Sequence, residues 1–494
     1  MVKETQDKRA ERPESPGGSS GRNPRVKPMG APNATAEEEV TGPGTTQLME
    51  AVVERSNMLT ALHRVESNKG AAGVDGMTVA DLRAYLQGQW PEIRERLLAG
   101  SYEPKPVRRV EIPKPDGKGV RKLGIPTVVD RLIQQAQHQV MSPIFDPRFS
   151  GSSYGFRPGR SAHDAVKQAR EYVRGGRRWV VDLDLEKFFD RVNHDILMAR
   201  VAREVKDKRV LLLIRRYLQA GVMEEGLTVA SLEGTPQGGP LSPLLSNIVL
   251  DELDWELDRR GLRFVRYADD ANIFVGSRSA GKRVMAGVQR FLEKRLRLFI
   301  NPEKSAVRRP QQVHFLGFRF CRNQEERWTV HLSHKAEERI QTRLKEMTPR
   351  NWGQSLLACM GELNRYLKGW VAYYRQCSEE GVRNWRKMDA HVRRRLRAIV
   401  IRQKKRPRYL YRHLLSRGVS ERKAARTAWS SRGVWHRSAR KGMHEGYNLD
   451  WFTEHLVSLT TEWYRHNLPH LIQPVLEPQL ALFAIETSSK EPDA

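Results

Sequence analysis

Residues 262–275 read LRFVRYADDANIFV, two short apolar runs that meet at the adjacent carboxylates Asp269 and Asp270. Each run has the length and composition of a short strand, and the acidic pair falls where the chain must turn between them. Paired acids at a turn ordinarily face solvent. Here they are framed by apolar strands, and burying carboxylates there is costly unless a cation offsets the charge. A second stretch supplies a matching acid. RWVVDLDL, residues 178–185, places Val181, Leu183 and Leu185 on one strand face and Asp182 and Asp184 on the other. Asp184, Asp269 and Asp270 form a candidate metal set, with Asp182 and Asp190 as competing ligands on spacing alone. Carboxylates without His or Cys suit an oxygen-seeking ion such as Mg2+.

Outward from these strands, the chain has 494 residues and a hydrophobic fraction of 39%. That is enough for a sizeable core divided among about two to four domains. Lys and Arg total 86 against 58 Asp and Glu, a formal charge of +28. Such an excess attracts polyanions, and with no long apolar span and no secretory leader, nucleic acid suits it better than a membrane. Cys321, Cys359 and Cys377 form no CxxC pair and no Cys/His cluster with ligand spacing. They indicate neither zinc nor a disulfide framework, and they fit a cytoplasmic protein with plain core or surface thiols.

Residues 1–46 hold six Pro and six Gly and no aromatic residue, the composition of a disordered leader. Order is expected from Gln47, with a helix over 47–66, a turn at Ala72-Gly73-Val74-Asp75-Gly76, and helical surfaces at Leu82, Leu86, Ile93 and Leu97. Strand-like stretches at 107–113 and 120–125 flank the turn Pro115-Asp116-Gly117, a two-stranded fingertip. Helices are expected over 131–140, 195–205, 208–220 and 279–296, and VHFLGFRF, 313–320, is a further hairpin candidate. From 336 onward the pattern is helical. Leu363, Tyr366, Leu367, Trp370 and Tyr373 lie on one amphipathic face, read as helix packing rather than nucleotide stacking. Residues 383–441 then gather 21 Lys and Arg against two acids, Asp389 and Glu421. Crowded like charges are destabilising unless an anion is close. Arg393, Arg394, Arg395, Arg397, Arg402, Lys404, Lys405, Arg406 and Arg408 are therefore candidate nucleic-acid contacts.

Several stretches carry a resemblance. Ala72–Gly76 looks like an N-terminal finger motif, RRVEIPKPDGKGVRKLGIPTVVDRLIQQ (108–135) like a first fingers motif and SYGFRPGRSAHDAV (153–166) like a second. DLDLEKFFDRVNHD (182–195) resembles a palm strand with its metal aspartate, GTPQGGPLSPLLSNI (234–248) a template- and nucleotide-positioning motif, and Tyr267-Ala268-Asp269-Asp270 the YADD box. Phe299–Ser305 and FLGFRF (315–320) follow, the latter similar to a primer grip, and the helix around Leu363–Tyr374 resembles a thumb or maturase domain. In this order the motifs resemble the bacterial group II intron-encoded reverse transcriptase/maturases, in the subfamily without an HNH endonuclease domain.

The resemblance implies an α+β right-hand polymerase with fingers and palm, followed by a helical thumb/maturase domain and a basic C-terminal segment. Its borders fall at 1–46 (leader), 47–178 (N-terminal extension and fingers), 179–335 (palm, with inserted fingers elements and primer grip), 336–425 (thumb/maturase), 426–482 (a reduced DNA-binding segment) and 483–494 (polar tail). It favours Asp184 over Asp182 as the first ligand of two Mg2+ ions, with Asp269 as the second and Asp270 as a weaker ligand or electrostatic partner. Phe189 matches the side chain that blocks a nucleotide 2′-hydroxyl. Lys114 and Arg121 would clamp the triphosphate, Arg157 would brace structure or template, and Gln237, Gly238 and Gly239 would let backbone approach base and sugar. Lys304 resembles a lysine near the departing pyrophosphate. The implied partners are intron RNA, an RNA template with a DNA or RNA primer, target DNA and dNTPs, and no membrane. The Cys pairs of an HNH nuclease are missing, so second-strand cleavage is not expected. A related enzyme recruited to host DNA repair or defence would share these residues. A non-catalytic RNA-folding protein would have no need of the intact acids.

Overall fold

The computed structural model describes residues 45–113, 119–224, 227–229, 233–349 and 351–469. Nearly all of the expected leader, the Pro115-Asp116-Gly117 turn, Lys114 and the polar tail lie outside the described residues. The strands are β1 (Val107–Pro113), β2 (Val120–Ile125), β3 (Trp179–Asp184), β4 (Val222–Glu224), β5 (Leu227–Val229), β6 (Arg263–Tyr267), β7 (Asp270–Val275), β8 (Ala306–Arg308), β9 (Phe318–Arg322) and β10 (Trp328–Leu332). They form a fingers sheet β2-β1-β4-β5, a palm sheet β6-β7-β3-β8 and the pair β10-β9. All pairings are antiparallel except that of β1 with β4.

The palm sheet separates two apolar cores, and the period of two along its strands decides what faces each. Val181, Leu183, Phe264 and Ile273 join a core built with the helices Val128–Phe145, His194–Glu204, Lys208–Gln219 and Ser242–Arg259. Val180, Val265 and Phe274 face the other, which includes the helix Ala162–Arg174 and the C-terminal helices. By the same alternation Asp182 and Asp184 share the face of Val180, and Asp270 and Asn272 share the face of Phe274. One face of the central strands is therefore apolar at its base and acidic at its tip.

Local chemistry explains most of the helix boundaries. Thr127, Asn193 and Ser277 each accept a backbone N–H at a helix start, and Ser161 with Asp164 closes a capping box. The helix expected over 47–66 is two helices, Leu48–Val52 and Arg55–Asn68, broken where Glu54 turns extended at ψ 138°. Segment 313–320 is not a hairpin in itself. Phe315 and Phe318 exchange backbone hydrogen bonds around Leu316 (φ 51°) and Gly317 (φ 83°), and Phe318 then begins β9, whose partner β10 lies farther on.

The expected border at 425 falls inside the helix Glu421–Ala428, and residues on both sides of it share one core. Buried Asp389 caps the helix Leu459–Asn467, accepting from Ser458 Oγ, Leu459 N, Thr460 N and Thr460 Oγ1 at 2.8–3.2 Å. Trp463 is buried, with Nε1 donating to the carbonyls of Arg375 and Cys377. The C-terminal segment is thus bound to the helical domain rather than detached from it. Cys359 and Cys377 are buried free thiols and Cys321 is partly buried. No helix among the described residues is long and apolar enough to cross a membrane.

Candidate active site

The three carboxylates meet at the tip of the palm sheet. Asp184, the last residue of β3, stands opposite Asp270, the first of β7, and Asp269 occupies the tight β6–β7 turn, where Ala268 is left-handed at φ 58°. The end of β3 is anchored by the loop that precedes β8. Ser305 Oγ accepts from Asp184 N at 2.9 Å, and Asn301 N donates to Asp184 O at 2.9 Å. That loop brings Lys304 Nζ to 3.5 Å from Asp184 Oδ1. Asp182 lies one step deeper, opposite Asn272 and 3.9 Å from Arg308, with its carboxyl pushed up to about 6 chiefly by burial. Asp190 is exposed on the short helix Phe188–Arg191.

Burial raises the Asp269 carboxyl above its ordinary range, and the charge of Asp184 adds to the shift while Arg121 opposes it. Asp270 is raised further, first by burial and then by Asp182, Asp269 and Asp184. Negative charge is thus crowded into a poorly solvated corner, an environment that a divalent cation relieves. The oxygen-only donor set fits Mg2+. Among the described residues no three His, Cys, Asp or Glu side chains are closed into a ready-made cage. Mg2+ keeps water and substrate phosphate in its shell and takes only one or two carboxylates from a protein.

The turn carrying Asp269 and Asp270 rests on Arg266, which the sequence reading passed over. Arg266 is 1% exposed and Asp254 is 0% exposed. The guanidinium donates to both Asp254 oxygens at 2.5–3.0 Å, to Asn247 Oδ1 at 2.9 Å, to Ser153 Oγ at 2.8 Å and to the carbonyl of Ala268 at 2.9 Å. This buried fork ties β6 to the helix Ser242–Arg259, to the segment around Ser153 and to the catalytic turn itself. A basic residue between Val265 and Tyr267 in an apolar strand was the available signal.

The fingers reach this corner, since the charge of Arg121 on β2 acts on Asp269. The Gln237–Gly239 loop packs on the same strand: Gly124 N donates to Gln237 O at 2.8 Å, and a Cβ on Gly238 (φ 136°) would lie 2.7 Å from Gly124 O. Phe189 is half-buried, edge-on to Phe188, and its carbonyl accepts from Thr235 N at 2.7 Å. Phe189 and the glycine loop are therefore fixed to each other through the backbone. Arg157, expected among the substrate-binding residues, is a structural brace. Its guanidinium is buried against Asp146 at 2.7 Å and against the carbonyls of Asp146, Ser150 and Ser153.

The basic segment also divides. Arg397 is buried, donates to Tyr447 O at 2.8 and 3.1 Å, and is lowered to about 10 by burial. Arg395 bonds Thr348 and the Lys345 carbonyl, and Arg394 stacks on Trp435 with Cζ 4.1 Å from the ring. Those three expected nucleic-acid contacts are engaged in holding helices together, and Arg393 is partly buried. Arg383, Arg386 and Lys387 are exposed where the helix begins, and a second group of cations faces solvent at and after its end. Lys404, Lys405, Arg406 and Arg412 line a groove of about 750 Å³ with Tyr409 and His413, and Arg402 and Arg408 are exposed on the same segment.

An acidic tip on a four-stranded antiparallel palm, with fingers closing over it, defines a nucleic-acid polymerase. Residues 112–320 match the family described as reverse transcriptase (RNA-dependent DNA polymerase), and residues 337–418 match the group II intron, maturase-specific domain. Protein YkfC of Escherichia coli (strain K12) is 33% identical over 357 residues, 64% of this chain and 91% of that protein. The group II intron-encoded protein LtrA of Lactococcus lactis subsp. cremoris is 39% identical over 209 residues, 42% of this chain and about a third (35%) of its own length. A solved chain titled "Partial Cas6-RT-Cas1--Cas2 complex" aligns over 50% of this chain and 42% of its own at 25% identity, with a TM-score of 0.34. The chain belongs to the group II intron reverse transcriptase/maturase family.

The scaffold makes a direct prediction. Arg266→Met strands a buried Asp254 and should cost about 3–5 kcal/mol, whereas Arg266→Met with Asp254→Leu should recover most of that loss. Urea unfolding of the three proteins measures it, and a single variant as stable as the parent would remove the fork from its supporting role.

Proposed function

We propose that the protein copies RNA into DNA, using Asp184, Asp269 and Asp270 to hold two Mg2+ ions, and that its own intron RNA is both ligand and template. The observation that carries this reading is the meeting of the three carboxylates at the palm tip beside Arg121, Lys304 and the Gln237–Gly238 loop. The reaction is attack of the primer 3′-hydroxyl oxygen on the dNTP α-phosphorus, with pyrophosphate leaving. The ions, when bound, lower the pKa of that hydroxyl and neutralise charge on the phosphates. Arg121, with Lys114, steadies the triphosphate. Lys304, held beside Asp184, is placed to compensate negative charge as pyrophosphate departs. Phe189 sets the wall against which a ribose 2′-hydroxyl would collide.

The maturase-specific domain supports a role in splicing, in which the protein holds the folded intron before copying it during retrohoming into target DNA. The exposed cations from Arg402 to Arg412 supply the phosphate-binding surface for the RNA. We place this work in the bacterial cytoplasm, at the nucleoid when target DNA is engaged.

Dideoxy-terminated and ordinary extension of a DNA primer on an RNA template in Mg2+ tests the polymerase. Asp269→Asn should lower incorporation by about a hundredfold or more with folding intact, since a metal ligand is lost; full activity in that variant would place the metal site elsewhere. Phe189→Val should raise rNTP use relative to dNTP by about tenfold or more in competition assays, and unchanged selectivity would refute its role as the sugar wall. For RNA, changing Arg402, Lys404, Lys405 and Arg406 together to Gln should flatten the slope of log affinity against log salt by roughly three units. Arg397→Gln, in contrast, should lower thermal stability. A slope unaffected by the quadruple change would locate the RNA surface elsewhere.

A further inference from the structure

Phe156 stands beside the catalytic turn in a backbone conformation that its side chain disfavours. Its φ is 58°, in the left-handed region, and it is 49% exposed. Both neighbours lock it there. A Cβ on Gly155 would lie 2.3 Å from Ala268 N, and Gly155 O accepts from buried Asn247 Nδ2 at 2.9 Å. Segment 152–154 runs along β6, with Arg266 N donating to Ser152 O and Tyr154 N to Arg266 O, each at 2.9 Å. On the far side the Arg157 guanidinium is fixed by Asp146, Ser150 and Ser153. None of these ties needs a phenyl ring at position 156, and the ring belongs to neither apolar core. What it does meet is Tyr267, the residue that opens the acidic turn, with ring centroids 6.4 Å apart at 44°.

We infer that Phe156 and Tyr267 form an apolar ledge that packs against the sugar and base edges of the terminal primer–template base pair, making Phe156 a further substrate-contacting residue. Strain maintained by surrounding packing, with a large apolar side chain held in solvent, fits a surface kept for a ligand. The ledge is uncharged and adjoins three carboxylates, so it suits bases and sugars rather than phosphates. It also stands apart from the nucleotide wall. Tyr154 and Tyr267 pack on the thumb-side core, whereas Phe189 packs on the opposite one. Aromatic faces accept any base, as a copying enzyme requires.

This inference rests on the polymerase reading, and the experiment separates the two. Phe156→Gly removes the ring and suits the left-handed backbone, so the full chain should melt at or near its original temperature. Binding to an RNA–DNA primer–template should weaken about fivefold or more, the yield of one lost aromatic–base contact. The slope of log affinity against log salt should stay unchanged, because no charge is removed. Phe156→Tyr should restore binding. A Phe156→Gly protein that binds and extends like the parent would overturn the inference alone. So would a lowered melting temperature with unchanged binding per folded molecule, which would make the ring structural. No incorporation by the parent chain would overturn the polymerase reading and this one together.

Discussion

The catalytic corner depends on one buried guanidinium. A turn that presents two carboxylates to a third in poorly solvated surroundings repels itself, and a left-handed alanine within it adds strain. Arg266 answers both problems from beneath. Its charge, itself paired with buried Asp254, opposes the upward shift of Asp269, and it donates to the carbonyl of Ala268, fixing the strained residue from inside the protein. Because the same fork also reaches Asn247 and Ser153, the positions of the helix Ser242–Arg259, of the strap 150–157 and of the metal turn are set together. Buried ion pairs contribute little net stability compared with apolar packing, but they discriminate strongly against wrong geometry. Precise placement of Asp269 and Asp270 opposite Asp184 is the use to which that discrimination is suited here.

Much of this was legible in the sequence because period-two alternation is a strong signal. RWVVDLDL and LRFVRYADDANIFV place their acids correctly relative to the apolar faces, and Asp184 and Asp270 are indeed cross-strand neighbours. The order of motifs then gave the right-hand architecture. What escaped was long-range pairing. Arg266 reads as one polar residue in an apolar strand, and its importance depends on Asp254, twelve residues earlier on a helix. Arg157 reads as a brace of either structure or template, and its carbonyl partners show the structural brace. The hairpin expected over 313–320 reaches no further than its closing pair, Phe315 and Phe318 around Gly317, because β9 takes its main partner, β10, from beyond a polar loop.

The basic segment gives a parallel lesson about charge. Composition counts every cation equally, yet a guanidinium has five donors in a planar fork and can serve helix packing as readily as phosphate. On the helix Trp385–Gln403 the arginines at 394, 395 and 397 satisfy carbonyls and a tryptophan face, which secures the C-terminal segment to the thumb. Where the helix ends, and the chain turns through left-handed Lys405, cations gather around Tyr409 in a groove. Burial therefore divides the segment by function in a way that density of charge cannot.

Backbone strain is distributed with the same logic. Lys69 and Arg297 are left-handed where helices terminate, an ordinary way to stop a helix. Phe156, Lys187, Ala268, Gly234 and Gly238 form a different group. Each lies in a segment that borders the acidic tip or the loop facing it, and the two glycines are pressed against neighbouring backbone at distances that exclude a side chain. A sheet edge alone offers only side chains that alternate in and out. To bring three carboxylates, Phe189 and the strand of Arg121 to one point, the connections between strands must leave regular geometry. The two apolar cores on either side of the palm supply the packing that holds them in those conformations. The catalytic site is therefore where the regular elements stop, and its rigidity comes from the cores beneath rather than from the loops that compose it.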